Sequence, residues 1–251
     1  MRRLVPIFLA LAAGLAGQPA AAPDPLVAAA LAAEARFDSK AALQLFLQAG
    51  AAHPNDPFIL QKLSRQYSDL TLDTADLAEK KRLCTAALDC ARQAAALAPR
   101  DPVNVLSLAI CYGKLAAYAG TRPKIEYSRL VKRYADEALA LDPDYAYAHH
   151  VLGRWNYEVA SLGPTTRWLV RLVYGGLPDA STAEAVRQLR RAVALSPGLP
   201  AHRVELGFAL LADGQPDAAR RAFQEALALP RREKYDEEAW RRAREALAKL
   251  R

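Results

Sequence analysis

The chain of 251 residues is poor in several things at once, with 12 glycines, 3 cysteines, 1 methionine and only 8% aromatic residues. Scarce glycine leaves no loop of the kind that cradles a phosphate, and neither Gly-x-Ser-x-Gly nor His-Glu-x-x-His occurs. The cysteines have no CxxC spacing. Cys84 and Cys90 stand six apart; on one helix that puts them about 120° apart around the axis, too divergent to bridge. With Cys111 they read as small buried hydrophobes. His149 and His150 are adjacent and diverge by about 100° on a helix, while His53 and His202 stand alone, so no metal site is expected. Acid pairs such as Asp136-Glu137 and Glu237-Glu238 are neighbours in sequence, unsuited to a shared acid–base pocket. Few β-branched and aromatic residues argue against a sandwich or barrel. No catalytic residue, cofactor or enzyme activity is expected.

What is present is alanine. There are 54, in a chain that is 52% hydrophobic and 24% charged. Alanine in such excess, beside leucine, arginine and glutamate, points to helices packed closely on one another. The charge is uneven. The formal net value is +7, from 34 basic and 27 acidic residues. Residues 23–163 hold 16 of each sign, whereas residues 164–251 hold 16 basic and 11 acidic. A basic C-terminal third suits an anionic membrane surface or an acidic protein. Yet Arg190-Arg191, Arg220-Arg221 and Arg241-Arg242 recur beside acids, as on solvated helix faces, and the excess is too small for a nucleic-acid binder.

The N-terminus has the form of an export signal. Met1-Arg2-Arg3 is followed by the apolar stretch Leu4–Gly17, broken by Pro6, and then by Gln18-Pro19-Ala20-Ala21-Ala22. Ala20 and Ala22 fit the small-x-small rule, with cleavage after Ala16 as a rival. The apolar stretch is shorter than the roughly 20 residues a bilayer span needs. Residues 1–22 are therefore expected to be a signal peptide directing the chain to the periplasm, and residues 23–251 a single repeat domain. The alternative is an uncleaved segment holding the protein in the inner membrane.

The repeat emerges from alanine and proline spacing. Ala42, Phe46, Ala49 and Pro54 stand at offsets 0, 4, 7 and 12, and so do Ala87, Ala91, Ala94 and Pro99. The same grid catches Ala185, Leu189, Ala192 and Pro197, then Ala219, Phe223, Ala226 and a slightly early Pro230, with a weaker copy at Val131, Ala135, Ala138 and Pro143. This is the grammar of the tetratricopeptide hairpin, about 34 residues long. Small residues at Ala30, Ala109, Gly153 and Gly207 in the first helix face Ala42, Ala87, Ala185 and Ala219 in the second, where a larger side chain would push the backbones apart. Proline closes the second helix and Asp-Pro opens the next hairpin. The expected fold class is all-α: a right-handed tetratricopeptide-like solenoid of about five helical hairpins, with insertions and a capping helix over about Asp236–Leu250.

Successive prolines of the grid lie 45, 44, 54 and 33 residues apart, so the middle units carry inserts. The largest, within Ser161–Thr182, holds Trp168, Leu169, Val170, Leu172, Val173 and Tyr174, with Arg167 and Arg171 one turn apart. It is expected to plug the concave side, the alternative being a dip into a membrane interface.

The stretch Tyr118-Ala119-Gly120…Lys124-Ile125, then Asp142-Pro143-Asp144, His149, Leu152-Gly153-Arg154-Trp155-Asn156-Tyr157-Glu158 and Trp168…Arg171…Pro178 resembles the regulator of microtubule dynamics family. The resemblance covers roughly residues 100–230 and follows the family's inserts as well as its grid. It implies a tetratricopeptide-like fold, association with microtubules and, in one branch, membrane-contact tethering with phospholipid binding. With its signal peptide and its Ala/Arg-rich composition this chain has the features of a bacterial exported relative. The expectation kept is the fold and a groove that accepts peptide or lipid.

By helical spacing the concave face holds Phe58, Lys62 and Arg65, then Val103, Leu106 and Ile110, then Tyr147, His150, Arg154 and Tyr157, and finally Val204, Phe208 and Leu211. Arginines among aromatics suit an anionic lipid or a peptide carboxylate. The plainer alternative pairs Arg65 with Asp69 and Arg154 with Glu158 above a filled core. The functional expectation is a non-enzymatic interaction protein with a protein or peptide partner in the cell envelope. The alternative is a phospholipid-binding or lipid-transfer protein that uses the same groove.

Overall fold

The computed structural model describes residues 24–250, so the expected signal peptide at 1–22 lies outside the described residues. Among them the chain forms twelve helices and no strand. They run α1 (Pro25–Ala35), α2 (Ser39–Ala52), α3 (Pro57–Leu70), α4 (Leu77–Leu97), α5 (Pro102–Ala117) and α6 (Thr121–Leu141). Then come α7 (Ala146–Ala160), α8 (Pro164–Tyr174), α9 (Thr182–Leu195), α10 (Pro200–Ala212), α11 (Pro216–Ala228) and α12 (Asp236–Lys249).

Local chemistry sets the helix boundaries. Asp24, Asp56 and Asp101 cap α1, α3 and α5 with their carboxylates, and each is followed by proline in the first turn, where a missing N–H costs nothing. Ser181 caps α9 by accepting from the Glu184 N–H at 3.1 Å. At the other end, α2, α4, α6, α9 and α11 each stop two residues before Pro54, Pro99, Pro143, Pro197 and Pro230. The residue before a proline is driven out of the helical region, so the grid proline ends each second helix.

Five antiparallel hairpins result: α1/α2, α3/α4, α5/α6, α7/α9 and α10/α11, with α12 packed on the last one. The extra length of the second and third units goes into α4 and α6, which run 21 residues where α2 runs 14. The first helices α3, α5, α7 and α10 adjoin one another and line the inner side of the curve.

The core is mostly alanine. Ala30, Ala42, Ala87, Ala109, Ala185 and Ala219 are all fully buried. Ala109 and Ala87 fall in different hairpins, on α5 and α4, and at the two glycines the closest approach comes one turn beyond the expected alanine. A Cβ on Gly153 would lie 2.4 Å from Leu189 Cγ and 3.2 Å from the Ala185 carbonyl oxygen. A Cβ on Gly207 would lie 2.4 Å from Phe223 Cε1. The glycines thus receive the large side chain four residues beyond the matched alanine, because the two helices cross there. The three cysteines are free, with Cys84 and Cys111 buried; burial pushes the Cys111 thiol up to about 11.

The insert does not plug the concave side. Helix α8 rests on α6, an outer helix, where Arg129 donates to the Tyr174 and Gly176 carbonyls at its C-terminus. Gly175 ends α8 in the left-handed region (φ 76°), which a side chain would strain.

Candidate functional site

The inner helices carry a tract of charged and aromatic side chains that runs from α1 to α12. At its N-terminal end Glu34 accepts from Lys62 Nζ and from Gln66 Nε2, both at 2.7 Å. Phe58 is exposed beside Lys62, whose ammonium lies 5.5 Å from the ring centre. Arg65 lies 3.8 Å from both Glu34 and Asp69, and it forms its shortest contact with Glu233, far along the chain. Burial acts to lower the pKa of Arg65, but Glu233, Asp69 and Glu34 outweigh it and the guanidinium stays above its ordinary value. The Tyr147 hydroxyl donates to the other Glu233 oxygen at 2.8 Å. Burial first, and then the Glu233 charge, raises the Tyr147 phenol far above its usual range, so it remains a donor.

The C-terminal half of the tract centres on Glu205, which is fully buried. It accepts from Tyr157 at 2.9 Å, pairs with Arg242 of α12, and lies 3.7 Å from Arg154. Burial alone would raise this carboxyl; Arg154 and Arg242 reverse the effect and hold it down to about 2. Arg154 also donates to Glu158 at 2.7 Å. His150 and His202 face each other with their Nδ1 atoms 3.0 Å apart. Burial pushes His150 down to about 4 and His202 to about 2, so both rings are neutral at ordinary pH. Phe208 packs edge-on against Phe223 at 5.1 Å, and the Arg242 guanidinium lies 4.5 Å from its ring centre. Val103 and Ile110 are partly exposed, while Leu106 and Val204 are core. The structure thus brings Lys62, Arg65, Tyr147, His150, Arg154, Tyr157 and Phe208 onto one inner surface.

The family-type motif divides between two sides of α7. Leu152 is core, and Gly153 meets α9. Trp155 is buried and donates to the Ser128 carbonyl of α6 at 2.8 Å, in an apolar cluster that Leu162 and Leu177 complete at the two ends of the insert. Arg154, Tyr157 and Glu158 take the opposite, inner side. Trp168 belongs to neither group, and on α8 it is 62% exposed.

The sequence reading missed Glu34, Glu205, Glu233, Tyr235 and Arg242. The one mark on Glu205 in the sequence is its place directly before the Leu206-Gly207 of a first helix, and the nearby Arg203 disguises it as a solvated acid. Two shallow pockets open among the described residues, one away from the tract and one beside the α11–α12 turn. One, of about 450 Å³, is lined by Arg122, Arg129 and Val173 between α6 and α8. The other, of about 520 Å³, is lined by Asp73, Lys234 and Arg241. Among the described residues no group of three or more His, Cys, Asp or Glu side chains could hold a metal, and no helix is long and apolar enough to cross a membrane.

Hairpins stacked through alanine and glycine contacts around a shared inner face define an all-α tetratricopeptide-type solenoid. A solved tetratricopeptide-repeat protein from Thermus thermophilus has the same fold, with a TM-score of 0.64 and 24% identity over 89% of this chain and 97% of that one. The family profile described as regulator of microtubule dynamics protein 1-3 matches residues 27–251, and the chain belongs to that family. Regulator of microtubule dynamics protein 3 of Xenopus laevis is 30% identical over 155 residues, which is 62% of this chain and 34% of that protein. The protein of the same name in Rattus norvegicus is 28% identical over 188 residues, or 74% of this chain and 40% of that one. The chain therefore spans well under half the length of these curated relatives.

Proposed function

We propose that the protein is a non-enzymatic interaction module whose concave face takes a protein or peptide partner in the cell envelope. The observation that carries this reading is the inner tract itself. Arg65 of α3 and Tyr147, Arg154 and Tyr157 of α7 present donors along one inner surface where an extended segment would lie. Export through residues 1–22 to the periplasm, or retention in the inner membrane by that segment, belongs to the same proposal. Microtubule dynamics, which the relatives' names describe, is not adopted for a chain read as exported. The test is affinity capture from solubilised envelope with the wild-type chain and with Arg65→Glu, both shown folded by circular dichroism. Proteins retained by the first and lost by the second support the reading; identical captured sets contradict it.

A second reading has its own observation. Helix α8 leaves Trp168, Leu169, Leu172 and Val173 exposed by 62%, 49%, 66% and 55%, next to an exposed Arg171. An apolar helix face flanked by arginine suits docking to an anionic bilayer surface. Cosedimentation with phosphatidylglycerol vesicles, lost in Trp168→Ser/Leu172→Ser, supports this reading. Unchanged cosedimentation removes it.

A further inference from the structure

The concave face is already occupied, and by the protein itself. Between α11 and α12 the chain turns back across the inner side of the solenoid and touches three earlier units. The Arg231 guanidinium lies 4.1 Å from the ring centre of Phe37, whose backbone is left-handed at φ 62° in the α1–α2 turn. The Glu233 carboxylate sits between Arg65 of α3 and Tyr147 of α7. Lys234 pairs with Asp73 after α3. The Tyr235 hydroxyl accepts from Arg242 at 2.8 Å and lies 3.5 Å from Arg154. The turn is shaped from within, because the buried Asp236 carboxylate accepts from the Arg232 and Glu233 amides at 2.8 and 2.7 Å.

Two features separate this segment from core. Its contacts to other units are mainly ion pairs and hydrogen bonds, with the Arg231–Phe37 ring contact and a partly buried Tyr235 beside them, and no side chain between Arg231 and Tyr235 is fully buried. The Arg65 and Glu233 side chains also keep 34% and 23% of their surface exposed, whereas Glu205, with its two arginines, has none. Ionic contacts that keep part of their surface in solvent contribute less net stability than enclosed ones lose when broken. Glu205 is fixed in the fold; Glu233 is exchangeable.

We propose that residues 231–235 form an internal latch that stands in for the ligand, and that the partner is a peptide segment that presents a glutamate. Its glutamate takes the place of Glu233 between Arg65 and Tyr147, with a tyrosine two residues further on. This deepens the interaction-module reading above and rests on it. Because the latch is tethered at both ends, it competes at an effective concentration in the millimolar range. An outside peptide binds the wild-type chain only in proportion to the fraction in which the latch is open.

The experiment uses the full chain and a fluorescein-labelled peptide copying residues 229–238 (Leu-Pro-Arg-Arg-Glu-Lys-Tyr-Asp-Glu-Glu), read by fluorescence anisotropy. The Glu233→Ala chain is expected to bind it at least about tenfold more tightly than wild type, since the competing carboxylate is gone. A peptide carrying Glu233→Gln is expected to bind about tenfold more weakly to that same chain, and adding Arg65→Ala to the chain should erase the difference. Should Glu233→Ala misfold, Glu233→Gln removes the charge and keeps the shape. Amide hydrogen exchange supplies a second readout: saturating peptide on the wild-type chain should speed exchange at Arg232 and Glu233, whose amides Asp236 holds. Equal affinity of wild-type and Glu233→Ala chains for the peptide, or of the Glu233→Ala chain for the two peptides, overturns the proposal. A partner captured through Arg65, with no preference of the chain for the glutamate-bearing peptide over its Glu233→Gln version, would also overturn it, yet leave the interaction-module reading standing.

Discussion

The inner tract and helix α8 differ in a way that inverts what their positions suggest. The concave face, where a solenoid ordinarily receives its partner, is filled with charges that the chain satisfies for itself: Glu34, Glu205 and Glu233 each meet an arginine from another helix. Helix α8 lies outside the stack on α6 and leaves four large apolar residues largely uncovered. Substitutions around the buried Glu205 of the first region should register in folding, because a buried charge left without partners is costly. Substitutions in the second should register in association and scarcely in folding, because an exposed side chain has the same solvent before and after unfolding.

The sharpest way to break this contrast is at Glu205. Arg242→Ala leaves a fully buried carboxylate with only one nearby cation, Arg154 at 3.7 Å, beside the Tyr157 hydroxyl at 2.9 Å. Urea unfolding should show a loss of about 3 kcal/mol; a loss no larger than that of an ordinary surface substitution would remove the electrostatic account of the tract. Next comes Gly153, on the side of α7 that packs against α9. Gly153→Ala forces a methyl against Leu189 and should cost about 1–3 kcal/mol by the same measurement. Leu189→Ala in that background should recover only part of it, because the Ala185 carbonyl stays 3.2 Å away.

A smaller effect comes from pH. His150 and His202 are held neutral in the fold, with pKa values near 4 and 2, among Tyr147, Glu205, Arg154, Arg203 and Arg242. The unfolded chain takes up those protons near pH 6.5 and the folded one does not, so stability should fall as pH drops from about 6.5 to about 4. The loss is on the order of 1–3 kcal/mol, and His150→Gln should show a shallower slope. The Glu205 contribution has a depressed folded value instead, so it persists above about 4.5 and disappears only as pH falls through about 2. A flat melting temperature between pH 7 and 4.5 would contradict the neutral histidine pair. The smallest expected change is on α8, where Trp168→Ser/Leu172→Ser should leave stability within about 0.5 kcal/mol. A larger loss would mean that α8 belongs to the core after all.

The hairpins were legible because their signals are local. Ala87 to Pro99 is one helical face followed by its terminator, and Asp56-Pro57 is a cap followed by a first turn; neither needs knowledge of distant chain. The Gly153–Leu189 contact was half legible, since spacing shows that something small must face α9 but not which residue fills the space. The latch was not legible. Arg65 and Glu233 are 168 residues apart, and they meet only because the accumulated curve of the hairpins brings the α11–α12 turn over α3. Pro230, one residue early on the grid, was its only trace. Glu205 was hidden for a similar reason, since next to Arg203 it looks like any solvated helix acid until α12 folds over it. For α8 the sequence showed an amphipathic helix but not the side of the stack that receives it, because the docking contact is Arg129 to carbonyl oxygens, which carry no sequence signature.

The chain's own C-terminal turn closes the concave face, and a double-mutant cycle on Arg65→Ala and Glu233→Ala measures that closure directly. Unfolding free energies of wild type, both single variants and the double variant should give a coupling of at least about 0.5 kcal/mol between residues so distant in sequence. A coupling of zero within error would mean that the turn does not lie in the groove.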